Sequence, residues 1–125
     1  MQSISIAPPN SIIFVMDFTY GIPPESSGGK NVSATDSCIV IGCLSDQDGP
    51  TEVTLSQYNE ANSFDPVVFD GEIATPSKRL SICSAYNEEL LATEVPSSKT
   101  HVRVFANHES EPDRILVLFD NKSSI

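Results

Sequence analysis

Two histidines, His101 and His108, and three cysteines, Cys38, Cys43 and Cys83, are the side chains here best equipped for nucleophilic or metal-dependent chemistry. A structural zinc site takes its ligands in close pairs, because each pair is carried by one tight turn. The histidines stand seven residues apart and the nearest cysteines five apart, so no such pair exists in the sequence. Asp46-Gln47-Asp48-Gly49 opens like a calcium loop but lacks its third carboxylate and the bidentate Glu at the twelfth position, so a polar hairpin turn accounts for it better. The nucleophile elbow, the helical zinc motif, the phosphate loop and the dinucleotide fingerprint are all missing, and Gly28-Gly29-Lys30 has no upstream glycine. A Cys or Ser nucleophile paired with His would have to be assembled across the fold and would leave no local trace. The expectation is a protein that is not an enzyme and uses no metal and no cofactor, with surface histidines and buried, inert thiols.

The positive signal is acid. Between Asn31 and Ser77 there is no Lys or Arg, while Asp36, Asp46, Asp48, Glu52, Glu60, Asp65, Asp70 and Glu72 supply eight carboxylates. Solubility explains a net negative charge but not the complete lack of basic residues over such a span. The reading is a face of one sign that steers association with a cationic partner. Asp46, Asp48, Glu52, Asp70 and Glu72 are the residues expected to carry it, and Tyr58 is the aromatic expected to anchor the contact, although a tyrosine beside a turn also serves as core edge. Glu109, Glu111 and Asp113 form a second acidic group whose position the sequence leaves open.

The elements that must position these residues read as strands. β-branched residues and period-2 patterns recur from end to end, and no window sustains a helical apolar spacing. Nine runs qualify: 3–7, 11–18, 37–44, 52–56, 67–73, 79–84, 88–93, 101–106 and 114–120. Turn chemistry such as Pro8-Pro9-Asn10, Asp48-Gly49-Pro50 and Pro96-Ser97-Ser98 separates them. The fold class expected is all-β, an antiparallel β-sandwich or partly open barrel, with an α+β alternative if Glu88 to Ala92 and Tyr58 to Asn62 each hold a helical turn. Ser11 to Met16 and Ile115 to Phe119 are apolar on both faces and should be central strands. Arg79 to Cys83 and His101 to Phe105 alternate and should each keep one wet face. Gly21 to Thr35, rich in Pro, Gly and Ser, reads as a long loop or a lid.

At 125 residues the chain fits one domain, 1–125, and its 39% apolar content is enough for a core without staples. Seventeen acidic against seven basic side chains give a formal net charge of −10, which disfavours binding to nucleic acid or to an anionic membrane. No stretch has the length of a membrane span, the start MQSISIAPPN lacks a basic region followed by a long apolar one, and an odd number of cysteines suits reduced thiols. A cytoplasmic location is expected.

The words Val67-Val68-Phe69-Asp70-Gly71-Glu72-Ile73, Thr75-Pro76-Ser77, Leu80-Ser81-Ile82, Glu89-Leu90-Leu91, Val95-Pro96 and Val102-Arg103-Val104-Phe105, together with the closing run Pro112 to Phe119, resemble a group of small bacterial β-sandwich proteins. Some members are inhibitors of a competence-associated nuclease, and others are immunity proteins encoded beside secreted toxins. Lys78 departs from the pattern, which favours a turn glycine there, and the last strand ends Phe119-Asp120 instead of in an aromatic-proline pair. The resemblance implies a sandwich fold and transfers no catalytic residue. With the acid it leads to one expectation: an immunity protein that neutralises a basic protein toxin, a nuclease domain, by covering its active site. The alternative is a non-catalytic ligand-binding or assembly β-module in which the acids only solubilise. A sugar-binding version would want an aromatic platform, and the chain has no Trp and only three Tyr. Oligomeric state is left open.

Overall fold

The computed structural model describes residues 1–25, 31–58 and 63–120. Within them lie ten strands: β1 Gln2–Ile6, β2 Ile12–Met16, β3 Val32–Ala34, β4 Cys38–Gly42, β5 Thr51–Gln57, β6 Val67–Ala74, β7 Arg79–Ser84, β8 Glu89–Glu94, β9 Lys99–Ala106 and β10 Arg114–Phe119. The one helical element among the described residues is a 3-10 turn, Pro9–Ser11. Two five-stranded sheets result, in the orders β1-β5-β10-β9-β6 and β3-β4-β2-β7-β8. The all-β sandwich expected from patterning is what forms, although it is not purely antiparallel: β10 runs parallel to β5, with Ile115 opposite Val53 and Val117 opposite Leu55.

The two strands apolar on both faces do take the middle of their sheets, β2 in one and β10 in the other. Each has a reason. Ile13 and Val15 of β2 and Ile115, Val117 and Phe119 of β10 point between the sheets, where they join Ile39, Ile41, Val53, Leu55, Leu80, Ile82, Val102 and Val104 in one continuous core. Burying each such side chain contributes roughly 1.5–3 kcal/mol. Their alternate residues are also covered: Leu118 is buried on the outside of the first sheet, and Met16 on the outside of the second.

The barrel alternative is set aside by the edges. Where β1 meets β8, the Gln2 side-chain amide donates to the Ala92 carbonyl and its carbonyl accepts from the Ala92 N–H, so a side chain laces the sheets where a barrel would continue the backbone ladder. Across the opposite edge, the Ala74 N–H donates to the Asp36 carbonyl at 2.8 Å.

Three local expectations change. Of Glu88 to Ala92, all but Glu88 is strand and none is helix, paired with β7 through Ala92 opposite Ser81. The other helical candidate, Tyr58 to Asn62, lies outside the described residues after Tyr58. β7 has no wet face beyond Arg79, because Ser81 and Cys83 are fully buried under a second apolar cluster of Met16, Cys38 and Cys83 with Phe14 and Val40. The 21–35 segment expected as loop contains β3 and is tied down on either side of residues 26–30, which lie outside the description. Ile22 N–H donates to Ser37 Oγ at 2.9 Å and Thr35 Oγ1 donates to the Ile22 carbonyl at 2.6 Å. Gly42 makes this possible, since a Cβ there would lie 2.1 Å from Asn31 Oδ1, the side chain that packs β3 onto β4.

Candidate protein-interaction surface

One end of the sandwich gathers acid. The β4–β5 connection carries exposed Asp46 and Asp48, and the β9–β10 connection carries exposed Glu109, Glu111 and Asp113. The two loops are joined by backbone: Leu44 N–H donates to the Pro112 carbonyl at 2.9 Å and Glu52 N–H to the Asp113 carbonyl at 2.8 Å. The second acidic group therefore extends the first. Each loop is fixed by its own polar residues. Asp46 N–H donates to Ser11 Oγ at 3.3 Å. His108 Nδ1 accepts from the N–H groups of Ser110 and Glu111 at 3.1 and 3.0 Å, and Asn107 Oδ1 accepts from those of Asp113 and Arg114, both at 3.1 Å. An imidazole whose Nδ1 accepts carries its proton on Nε2, so His108 is a loop brace here.

The outer face of the first sheet holds the rest. Arg114 and Glu52 are register partners across β10 and β5. Arg114 makes a two-pronged contact with Asp65, 2.9 and 3.0 Å, that holds the Asp65 carboxyl below its ordinary range and raises the arginine further. At the opposite end of the same sheet, His101 Nε2 and Arg103 Nε both contact the Asp70 carboxylate, and the His101 hydrogen bond leads in keeping that carboxyl below its ordinary value. Glu72 faces His101 across the β6–β9 ladder. Tyr58 meets the His101 ring edge-on, with centroids 5.7 Å apart, and lies under the Arg103 guanidinium at 5.4 Å. Burial raises the Tyr58 phenol above its ordinary range, against the pull of Arg103.

The six residues singled out from sequence thus fall into two groups along one sheet. Asp46, Asp48 and Glu52 sit together at the acidic end; Tyr58, Asp70 and Glu72 sit together at the far end, around His101 and Arg103. Two of the eight carboxylates in the span without basic residues are compensated by arginines from later strands, Asp65 by Arg114 and Asp70 by Arg103. A third, Asp36, lies beside Ala74 at the far end, and Glu60 is outside the described residues. The one-signed face inferred from local sequence is in space an acid-rich end, with Arg114 beside Glu52 and Asp113, plus a mixed-charge sheet face. The neutralising cations come from β9 and β10, about 35 to 50 residues downstream, by the separations of their contacts.

Cys38, Cys43 and Cys83 are all buried, and burial pushes each thiol up to about 12. Cys38 and Cys83 flank β2 on different strands, two strand spacings or about 9.5 Å apart, beyond the reach of a disulfide. Among the described residues no three His, Cys, Asp or Glu side chains converge as a metal site, and no helix is long and apolar enough to cross a membrane. One surface residue that sequence reasoning passed over is Phe64, fully exposed on the turn before β6. A lone aromatic in a polar stretch, Asn62-Ser63-Phe64-Asp65, was the available signal.

No family model matches the chain, and no curated protein matches it. Among solved structures, it is similar to ComJ, the inhibitor of the DNA-degrading activity of NucA from Bacillus subtilis. The likeness covers 98% of this chain and 96% of that one, with a TM-score of 0.66 and 11% sequence identity. The likeness is one of fold, and it runs along nearly the whole of both chains.

Proposed function

We propose that this protein is a stoichiometric inhibitor, an immunity protein, that binds a basic protein toxin with nuclease activity and occludes its active site. The observation that carries this reading is the likeness of fold to ComJ, which covers 98% of this chain and 96% of that one. The acidic end supplies the physical mechanism. A nuclease cleft must neutralise phosphates and so presents a dense positive field. Carboxylates of Asp46, Asp48, Glu109, Glu111 and Asp113, held on two backbone-linked loops, and of Glu52 at the start of β5 offer that field a rigid substitute for the phosphate backbone. A contact of ordinary size, roughly 1,600 Å², would take the acids as its steering and specificity elements and an aromatic or two as its anchors.

The protein's part is binding alone, with no cofactor and no bond made or broken. The test is a titration of DNA cleavage by NucA and by any nuclease encoded beside this chain's own reading frame. The expected result is loss of cleavage with a 1:1 endpoint for the neighbouring nuclease, with the complex surviving gel filtration. Undiminished cleavage at stoichiometric excess, for both enzymes, would remove the inhibitor role.

A further inference from the structure

Beside the acidic end, the outer face of the first sheet is not flat. A groove of about 450 Å³ runs between β1 and the turn before β6. Its floor is Thr54 of β5 and Leu116 of β10, which are register neighbours, and Ser3 and Phe64 line it. Ser3 and Thr54 share a hydroxyl–hydroxyl hydrogen bond of 2.6 Å that fixes one side. The Asp65–Arg114 pair fixes the other, and with it the position of Phe64. A phenyl ring held fully in water on a pinned turn forgoes the gain that burial would give it, which is the condition of an anchor awaiting a partner.

Charge decides which partner. Two cations line the groove, Arg114 and the Met1 ammonium, against two carboxylates, Glu52 and the Asp65 that holds Arg114, so the lining is balanced and the field around it decides. Glu52 lines the same groove, and the field of Asp46, Asp48 and Asp113 lies beyond it at the acidic end. A second copy of this chain, at a net charge of −10, is opposed from entering. From this charge complementarity we infer that the groove receives a short basic segment of the partner protein, in which an aliphatic side chain packs against Phe64 and Leu116 and a flanking Lys or Arg reaches Glu52. This rests on the reading that the partner is a basic protein and adds where it docks: the groove binds, while the acidic loops steer.

The probe is the peptide acetyl-Lys-Leu-Arg-Lys-amide, added at millimolar concentration to the full-length protein and followed by backbone NMR, with acetyl-Glu-Leu-Glu-Glu-amide as control. The basic peptide should shift Thr54, Asp65 and Leu116, the acidic one should not, and both Phe64→Ala and Glu52→Gln should weaken the response about tenfold or more. Phe64 is fully exposed, so its removal leaves the fold intact. Shifts confined to the Asp46–Asp48 and Glu109–Glu111 loops, shifts unaltered by Phe64→Ala, or no shifts would each overturn the groove. The nuclease titration stands or falls separately. Sedimentation of the wild-type protein completes the test, since a dimer abolished by Phe64→Ala would assign the groove to self-association instead.

Discussion

At the scale of single residues, one heavily satisfied charge is Asp17, fully buried just after β2. Its carboxylate accepts from the N–H and the hydroxyl of Ser77, both at 2.7 Å, and from the N–H groups of Thr19 and Tyr20 at 3.0 and 3.3 Å. Burial alone would push this carboxyl up; the Ser77, Thr19 and Tyr20 donors outweigh it and hold the group below its ordinary 3.8. Asp17 thus clips the turn after β6 to the end of β2 and so ties one sheet to the other. In Asp17→Asn an amide N–H would face donors that need an acceptor, so stability in urea should fall by about 2–3 kcal/mol near neutral pH. The pH dependence has a definite sign. A carboxyl depressed in the folded state stabilises fully above its unfolded value and loses that contribution as pH falls through its folded value. The gap between wild type and Asp17→Asn should therefore be constant above about pH 5 and close below about pH 4, in paired urea melts. A gap that widens toward acid would contradict the assignment.

At the scale of elements, the turn between β6 and β7 contains a residue in the wrong conformation for its type. Lys78 has φ +58°, in the left-handed region, with its N–H on the Thr75 carbonyl at 2.9 Å and its carbonyl accepting from Val95 at 3.0 Å. A side chain there costs about 1–2 kcal/mol, whereas glycine pays about 0.5–1 kcal/mol in extra chain entropy. Lys78→Gly should therefore stabilise the protein by about 0.5–1 kcal/mol, a rise of a few degrees in calorimetric Tm. This is the position where the sequence pattern wanted glycine, and the backbone gives the reason. Elsewhere the strands were largely legible because period and turn chemistry are local: every run expected from patterning is a strand, and β2 and β10 announced their central places by being apolar on both faces. What escaped was set by partners distant in sequence. β3 is three residues long and exists because Asn31 packs against Gly42 of β4. The parallel seam between β5 and β10 joins segments some sixty residues apart. β7 reads as half-wet because Ser81 is polar, yet its hydroxyl donates to Glu89 at 2.7 Å and the strand is covered on both faces.

At the scale of the whole molecule, charge is where sequence and space diverge most. Asp46, Asp48 and Glu52, singled out by counting carboxylates along 31–77, do lie at one end of the sandwich, but folding brought Arg103 and Arg114 to Asp70 and Asp65. It also delivered Glu109, Glu111 and Asp113 to the same end, by hydrogen bonds that no charge count contains. The effective field is thus narrower and more one-sided than the sequence implied. All three arginines, Arg79, Arg103 and Arg114, are engaged by carboxylates. A field of this kind acts on encounter more than on residence: it can lift association toward about 10⁸ per molar per second, and salt weakens it. Reversing Asp46, Asp48 and Glu52 together to lysine should slow association with a basic nuclease by about tenfold at low salt and flatten the dependence of the on-rate on ionic strength, in stopped-flow or surface-binding kinetics. All three side chains are exposed, so thermal stability should change little, and dissociation should change less than association. Phe64→Ala should do the reverse, leaving the on-rate near wild type while dissociation quickens. If the triple reversal left both the rate and its salt slope unchanged, the acidic end would be a solubility feature, and the contact proposed for this protein would have to be sought around Tyr58 and Arg103 at the opposite end of the sheet.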